Sequence, residues 1–334
     1  MPKLCVINGD GIGKEVVPAT VTVLQTVISN LEIVQAQAGW ECFLECGVSV
    51  PEETLQNIRA CGAALFGAVS SPAHKVKGYR SAVITMRQAL DLYTNLRPVK
   101  SMPIVSSRAD VDMLIVRENT EGLYSGRERR EGDTAIAERV ITVSASQRIA
   151  ARALTLAAQR KRKRLTIVHK ANILPLTDGL FRDTVRAAAV SFIQSHAVNI
   201  EINELLVDVA ALKIISTPQE FDILVTTNLF GDILSDEAAY WCGGLGYAPS
   251  LNWGDGVALA EPVHGSAPDI AGKGIANPIA SILSASLLMR TVWDMAVQAD
   301  DIENAVQRAL QDGFGVHTGE HTTQQITAAV LERL

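Results

Sequence analysis

The chain has 334 residues, 48% of them hydrophobic, and a formal net charge of −6 at pH 7. That is enough apolar material to bury a large core and divide it between two domains, and the acidic balance argues against a general binder of polyanions. The longest apolar stretch, 278–289, is too short to span a bilayer and is interrupted by serines. A soluble, cytoplasmic protein is therefore expected, with no membrane or nucleic-acid partner.

Short apolar runs alternate with longer helical patterns, the signature of a layered α/β protein. The first strand, expected over 3–8, begins too early to leave room for a targeting segment. It runs into Gly9-Asp-Gly-Ile-Gly13 and then a helix over 14–29. This turn invites a dinucleotide-fingerprint reading and does not meet it. The spacing is G-x-G-x-G, and Glu32 begins the next strand, 32–36, rather than closing it. The segment reads as a tight strand-to-helix turn. A strand over 63–69, a helix over 82–93 and a strand over 111–117 follow. Residues 118–142 are charged and lack a helical period, so they read as an exposed arm or a pair of strands. The helix expected over 146–160 closes on Arg160-Lys-Arg-Lys-Arg164, where cations complement its carboxyl end. Strands at 165–169, 199–205 and 222–226 and helices at 176–195, 232–241, 278–289, 302–312 and 323–334 complete the chain. Cys5, Cys42, Cys46, Cys61 and Cys242 lie scattered among apolar neighbours and are expected as reduced, mostly buried thiols.

The most informative segment is Asn228-Leu-Phe-Gly-Asp-Ile-Leu-Ser-Asp236, which ends an apolar strand. If the chain turns helical after Gly231, Asp232 and Asp236 lie on one face with Cβ atoms about 5–6 Å apart. Donors that are all oxygen, at the carboxyl end of a strand, favour magnesium or manganese over zinc. Arg87, Arg97 and Arg117 offer forks that match carboxylates bidentately. Together with a carboxylate-bound metal they point to a substrate bearing several carboxylates.

Six blocks carry a resemblance in the right order: Gly9-Asp-Gly-Ile-Gly-Lys-Glu15, Asp91-Leu-Tyr-Thr-Asn-Leu-Arg-Pro98, Val116-Arg-Glu-Asn-Thr-Glu-Gly-Leu-Tyr124, His169-Lys-Ala-Asn172, the aspartate segment, and Glu261-Pro-Val-His-Gly-Ser-Ala-Pro-Asp269. The chain resembles the β-decarboxylating dehydrogenases, the family of isocitrate, homoisocitrate and 3-isopropylmalate dehydrogenases. The resemblance implies a central mixed sheet flanked by helices, unlike the Rossmann arrangement. Residues 1–99 and 247–334 would form a cofactor domain, and 100–246 a substrate and dimerisation domain whose arm, about 118–142, clasps a second subunit. Active sites would be shared across the homodimer.

The same resemblance implies NAD, bound by Ile12, His264, Gly265, Ala267, Asp269, Ile270 and Asn277. Asp269 would accept hydrogen bonds from the adenosine ribose hydroxyls and repel a 2′-phosphate. Asp232, Asp236 and the partner's Asp208 would hold Mg2+ or Mn2+. Ser81, Arg87, Arg97, Arg117 and Asn172 would bind the hydroxy acid. Lys170, entering the neighbouring site, would accept the hydroxyl proton, and Tyr124 would protonate carbon once carbon dioxide has left.

Substrate choice follows the start of the helix carrying Arg87. Relatives acting on homoisocitrate often carry an arginine where Ile84 stands, and relatives acting on isocitrate carry a serine where Ser81 stands. Val83 and Ile84 keep 3-isopropylmalate open, while Lys77 and Arg80 offer replacement cations. The full-length pattern is similar to homoisocitrate-type sequences, yet the pocket residues favour isocitrate, oxidised to 2-oxoglutarate. Two other classes fare worse. A non-catalytic regulatory subunit is disfavoured because Asp208, Asp232, Asp236, Lys170 and Tyr124 are all present, and a nucleic-acid module acting through 160–164 is disfavoured by the acidic whole.

Overall fold

A computed structural model of the chain describes residues 1–74 and 76–334. Its strands are β1 Lys3–Gly9, β2 Glu32–Ala36, β3 Ala63–Ala68, β4 Thr94–Lys100, β5 Asp112–Glu118, β6 Glu128–Glu131, β7 Thr134–Ala137, β8 Arg164–His169, β9 Glu201–Leu206, β10 Ile223–Thr226, β11 Leu251–Trp253 and β12 Ala258–Ala260. Its helices are α1 Gly13–Val27, α2 Trp40–Cys46, α3 Glu52–Cys61, α4 Ala82–Ala89, α5 Val143–Gln159, α6 Thr177–His196, α7 Val207–Ser216, α8 Asn228–Ala238, α9 Ile279–Val292, α10 Ala296–Gln311 and α11 Thr323–Leu331.

Each strand and helix expected from periodicity is present, with shifted ends. The additions have physical reasons. Strand β4 contains Pro98, which lacks the N–H a ladder uses and so masks a strand in sequence, yet Pro98 stands opposite Leu114 in the antiparallel pairing of β4 with β5. Helix α7 follows β9 without an intervening residue, so the two periodicities merge.

The chain divides into two compact units. The first comprises Met1–Leu92, Met102–Ala109 and Cys242–Leu334, and the second Tyr93–Ser101 and Asp110–Trp241. Strand β4 therefore belongs to the second unit, whereas the sequence boundary near residue 100 groups it with the chain ends.

In the first unit the strand order is β2-β1-β3-β12-β11. The pairs among β2, β1, β3 and β12 are parallel, and β11 runs antiparallel to β12. One side of this sheet buries Cys5, Ile7, Phe66 and Leu259 with Met86 of α4 and Ile58 of α3. Helix α9 is buried along most of its length and reads as apolar all round. Its serines find partners, Ser281 accepting from Thr20 at 2.8 Å and Ser286 donating to the Ala299 carbonyl at 3.1 Å, as burial of hydroxyls requires.

The second unit has the order β4-β5-β10-β8-β9. Within this sheet β4 runs antiparallel to β5, and the β5–β10, β10–β8 and β8–β9 pairs are parallel. Its core sets Val99, Met113, Ile115 and Leu224 against Ile214 of α7 and Leu234 of α8. Residues 118–142 resolve into β6 and β7, an antiparallel hairpin with Glu128 opposite Ala137 and mostly exposed side chains. Glu118 itself closes β5 and is buried.

The basic run sits where helix α5 ends, and its arginines are already engaged. Arg160 pairs with Asp112 at 2.8 Å and also with buried Asp222, Arg162 donates to the Gln219 carbonyl at 2.7 Å, and Arg164 pairs with Glu201 at 2.9 Å. All five cysteines are free thiols, with Cys5, Cys42 and Cys242 buried and Cys46 exposed. Among the described residues no helix is long and apolar enough to cross a membrane.

Candidate active site

In the second unit, strand β10 ends at Thr226 and α8 begins at Asn228, earlier than the start after Gly231 that the sequence suggested. Gly231 thus lies inside the helix, and its reason is spatial. A Cβ there would stand 2.6 Å from Cγ and 2.7 Å from Cβ of Arg117. The missing side chain lets the arginine of β5 lie flat across α8.

Arg117 is 1% exposed, so its charge needs partners close by. Asn228 supplies one, its Oδ1 accepting from Nε at 3.0 Å and from Nη2 at 2.7 Å. Asp232 supplies the other through a direct ion pair. Arg97, from β4, donates to Asp236 at 2.7 Å, to the Ser235 hydroxyl at 2.8 Å and to Asp232 at 3.3 Å. The Tyr124 hydroxyl donates to Asp232 Oδ2 at 2.5 Å, and the Arg117 guanidinium lies 5.2 Å from the centre of the Tyr124 ring. Five of the expected residues, Arg97, Arg117, Tyr124, Asp232 and Asp236, therefore converge. Burial pushes the Asp236 carboxyl above the usual carboxylate range, against the pull of Arg97 beside it.

A second cluster forms where β8 ends. Lys170 pairs with Asp208 at the first turn of α7, and that contact holds the Asp208 carboxyl below its usual range. The Lys170 backbone N–H donates at 2.9 Å to Asp178, which is fully buried. Asp178 in turn pairs with Arg139 at 3.0 Å, and Arg139 reaches the Thr227 hydroxyl at 2.9 Å and lies 4.5 Å from the centre of the Phe230 ring. A buried ion pair thus ties the Lys170 turn to the start of α8. Asn172 is exposed in the turn after Lys170.

The first unit carries the remaining residues. Ser81 precedes α4 and its hydroxyl makes no capping bond. Arg87 pairs with Glu261 at 2.7 Å, both buried, while Arg87 Nε and Glu261 Oε2 have no hydrogen-bond partner among the described residues. The loop from His264 to Ile270 comes against the turn after β1. The Ile12 N–H reaches the Ser266 carbonyl at 3.0 Å, and a Cβ on Gly11 would stand 2.1 Å from that oxygen. Ala267 adopts φ +40°, and the Ile270 N–H closes a turn onto its carbonyl at 3.1 Å. Asn277 donates to Gly315 O at 3.0 Å, Asp269 and Gly265 are exposed, and His264 bonds the Gly265 carbonyl through Nδ1 at 3.0 Å. Burial holds the His264 imidazole below its usual pKa range, and its Nε2 has no hydrogen-bond partner among the described residues.

These donors can be weighed against the groups they would hold. An orphaned ring nitrogen and an exposed carboxylate carried on one loop, with Ala267 in a left-handed turn between them, fit a polar, hydroxyl-bearing ligand such as a dinucleotide. Asp232 and Asp236 supply oxygen donors suited to a hard divalent ion. Among the described residues no group of three metal-ligating side chains converges, and Asp208 is engaged with Lys170 instead. Sequence reasoning missed Asn228, Asp178, Arg139 and Glu261. Asn228 and Glu261 open two of the quoted blocks, but nothing local marks Asp178 or Arg139.

The model of the isocitrate/isopropylmalate dehydrogenase family matches residues 3–332. The isocitrate/homoisocitrate dehydrogenase of Thermus thermophilus is 52% identical over 99% of this chain and 98% of its own length. The homoisocitrate dehydrogenase of Methanocaldococcus jannaschii is 48% identical over 93% of this chain and 90% of its own. The crystal structure of isocitrate dehydrogenase from Methylococcus capsulatus superposes with a TM-score of 0.92 at 40% identity, covering 100% of this chain and 99% of that one. Fold and sequence thus define a dehydrogenase that decarboxylates the hydroxy acid it oxidises. The chain belongs to the isocitrate/isopropylmalate dehydrogenase family.

Proposed function

We propose that this chain catalyses the NAD-dependent, divalent-metal-dependent oxidative decarboxylation of isocitrate to 2-oxoglutarate, as a cytoplasmic enzyme of the tricarboxylic acid cycle. The observation that carries the reading is the convergence of Arg117 and Tyr124 on Asp232. Asp232 and Asp236 would hold the Mg2+ or Mn2+ ion together with the partner's Asp208. Arg97 and Arg117 neutralise those two aspartates as the chain stands, so an added divalent cation leaves a positive surplus that a hydroxy polycarboxylate matches. Arg87, Ser81 and Asn172 are assigned to the same substrate.

When bound, NAD would accept hydride from C2, and the metal would acidify the hydroxyl and take up negative charge as carbon dioxide leaves. The side chains do the rest. Lys170 accepts the hydroxyl proton, Tyr124 returns a proton to carbon, and Arg97 and Arg117 orient the carboxylates. Ile12, His264, Gly265, Ala267, Asp269, Ile270 and Asn277 are assigned to NAD, and the exposed carboxylate of Asp269 would accept hydrogen bonds from its ribose hydroxyls.

Two features support a homodimer with shared sites. Asp208 and Lys170 form their own pair within the chain, which leaves the metal pair of α8 one ligand short. Helix α7 also exposes Val209, Leu212 and Ile215, at 37%, 66% and 56%, on one face, a stripe of the kind that marks association. A second copy of the chain would cover it, with β6 and β7 as the clasp.

Ser81 supports isocitrate, and Ile84, standing where homoisocitrate relatives often carry an arginine, weighs against the longer acid, while Val83 and Ile84 keep 3-isopropylmalate as a further alternative. Arg80, exposed and hydrogen-bonded to Gln88 at 3.2 Å, favours homoisocitrate as the second reading, because a guanidinium held by a neutral amide beside α4 suits one further methylene and its carboxylate. Steady-state kinetics with isocitrate, homoisocitrate and 3-isopropylmalate, each with NAD and manganese, decide between them. A kcat/KM highest for isocitrate is expected, and a large preference for either other acid overturns the choice of substrate.

A further inference from the structure

Asp10 lies in the turn between β1 and α1, is 1% exposed, and has no part in the chemistry above. Its carboxylate accepts three backbone N–H groups from two distant segments. Oδ2 takes Trp40 and Ser70, each at 2.8 Å, and Oδ1 takes Glu41 at 3.0 Å. The Asp10 N–H itself donates to the Ala68 carbonyl at 2.9 Å. One buried side chain therefore satisfies the first N–H groups of α2 and fixes the chain just beyond β3.

Ser70 passes this restraint on. Its hydroxyl bonds the Ser266 hydroxyl at 2.9 Å, in the middle of the 264–270 loop. Its carbonyl accepts from Tyr79 at 3.2 Å, and the Tyr79 ring meets Trp40 edge-on with centroids 5.1 Å apart. The Ser266 carbonyl meanwhile accepts from Ile12, two residues past Asp10. The loop is thus gripped at one residue from two sides, and both grips trace back to the same turn.

We propose that Asp10 is a positioning residue for the cofactor loop. Its carboxylate fixes Ser70 against the start of α2, and Ser70 sets Ser266, and with it the loop 264–270, in the conformation that receives the dinucleotide. The proposal rests on the assignment of that loop to NAD. A carboxylate is required because it offers acceptors on both oxygens. In asparagine one becomes an NH2 group, so at least one of the three backbone donors meets another donor.

The test compares wild type with Asp10→Asn, Ser70→Ala and Ser266→Ala, each shown folded by circular dichroism. NAD affinity is measured by calorimetry, Mn2+ affinity by the same method, and amide hydrogen exchange is followed across 264–270. Asp10→Asn is expected to weaken NAD binding by roughly tenfold or more, the scale of a buried hydrogen bond lost, and Ser70→Ala by a smaller factor. Exchange in the loop should accelerate in both, with Mn2+ affinity unchanged. Folded Asp10→Asn that loses thermal stability while keeping wild-type NAD affinity and loop exchange would reduce Asp10 to a structural residue and overturn the proposal. Wild type that binds no NAD would sink the cofactor assignment instead, and loop exchange then still decides whether Asp10 sets the loop. Should Asp10→Asn fail to fold, unchanged loop exchange in Ser70→Ala overturns the proposal.

Discussion

Arg117 governs its neighbourhood because a guanidinium with almost no solvent contact cannot step aside. Gly231→Ala places a methyl group within 2.7 Å of the Arg117 side chain, and overpacking of that kind costs about 1–3 kcal/mol. The expected outcome is that loss in chemical denaturation, with weaker Mn2+ binding because Arg117 is pushed against Asp232. Unchanged stability and metal affinity would mean the helix relaxes freely. Asp232 and Asp236 of α8 were legible in the sequence because a strand followed by aspartates four residues apart is a local pattern. The need for glycine at 231 was not, since it depends on a side chain from β5, more than a hundred residues away. The same distance hid Asn228, whose amide oxygen accepts twice from that guanidinium.

At the scale of elements, the turn leaving β8 depends on Asp178. Removing it deprives Arg139 of its carboxylate and leaves the Lys170 N–H without its acceptor. Breaking a buried ion pair costs about 3–5 kcal/mol, so Asp178→Ala should lose stability on that scale by urea titration, and Asp178→Asn less, because an amide oxygen still accepts. His169, beside this turn and buried, has its pKa lowered, chiefly by burial and against the pull of Glu204 3.6 Å away, with Arg182 and Asp178 also facing it. The native state therefore favours the neutral ring. Its contribution to stability is complete above the unfolded value of 6.5 and is lost as pH falls through the lower folded value. Wild type should lose urea resistance as pH falls from above that unfolded value to below it, and His169→Gln should lose less over the same interval. An identical loss in the variant would assign the acid sensitivity elsewhere.

Elements with a clean period and a breaker at each end, such as α1 and β3, were legible. Those lacking one were not. Strand β4 carries Asn95, Arg97 and Pro98 in place of an apolar alternation, and its burial comes from the antiparallel partner β5. That is also the strand presenting Arg97 to α8, so the motif was recognisable before its secondary structure was. Helices α2 and α3 are short and end at Gly47 and Gly62, both left-handed; the glycines were visible, but the helices before them are too brief for a period to emerge.

For the whole molecule, the proposed reading depends on a second copy. Leu212→Glu with Ile215→Glu charges the exposed stripe of α7 without touching a core residue. Light scattering should show a shift from dimer to monomer, and turnover should fall with it, since the monomer would lack the partner's Asp208 and Lys170. A monomeric variant with full activity would refute shared sites. The overall family was readable because six blocks keep their order along the chain, whereas the choice among isocitrate, homoisocitrate and 3-isopropylmalate turns on a few side chains around α4.

The most direct measurement is the stoichiometry of a single reaction: isocitrate with NAD and manganese, following NADH and carbon dioxide together, in wild type and Asp232→Asn, with and without a chelator. The account predicts one NADH and one carbon dioxide for each 2-oxoglutarate formed, no turnover with chelator, and a fall of at least about a hundredfold in the variant. NADH formation that ignores the chelator and survives the loss of Asp232 would contradict it.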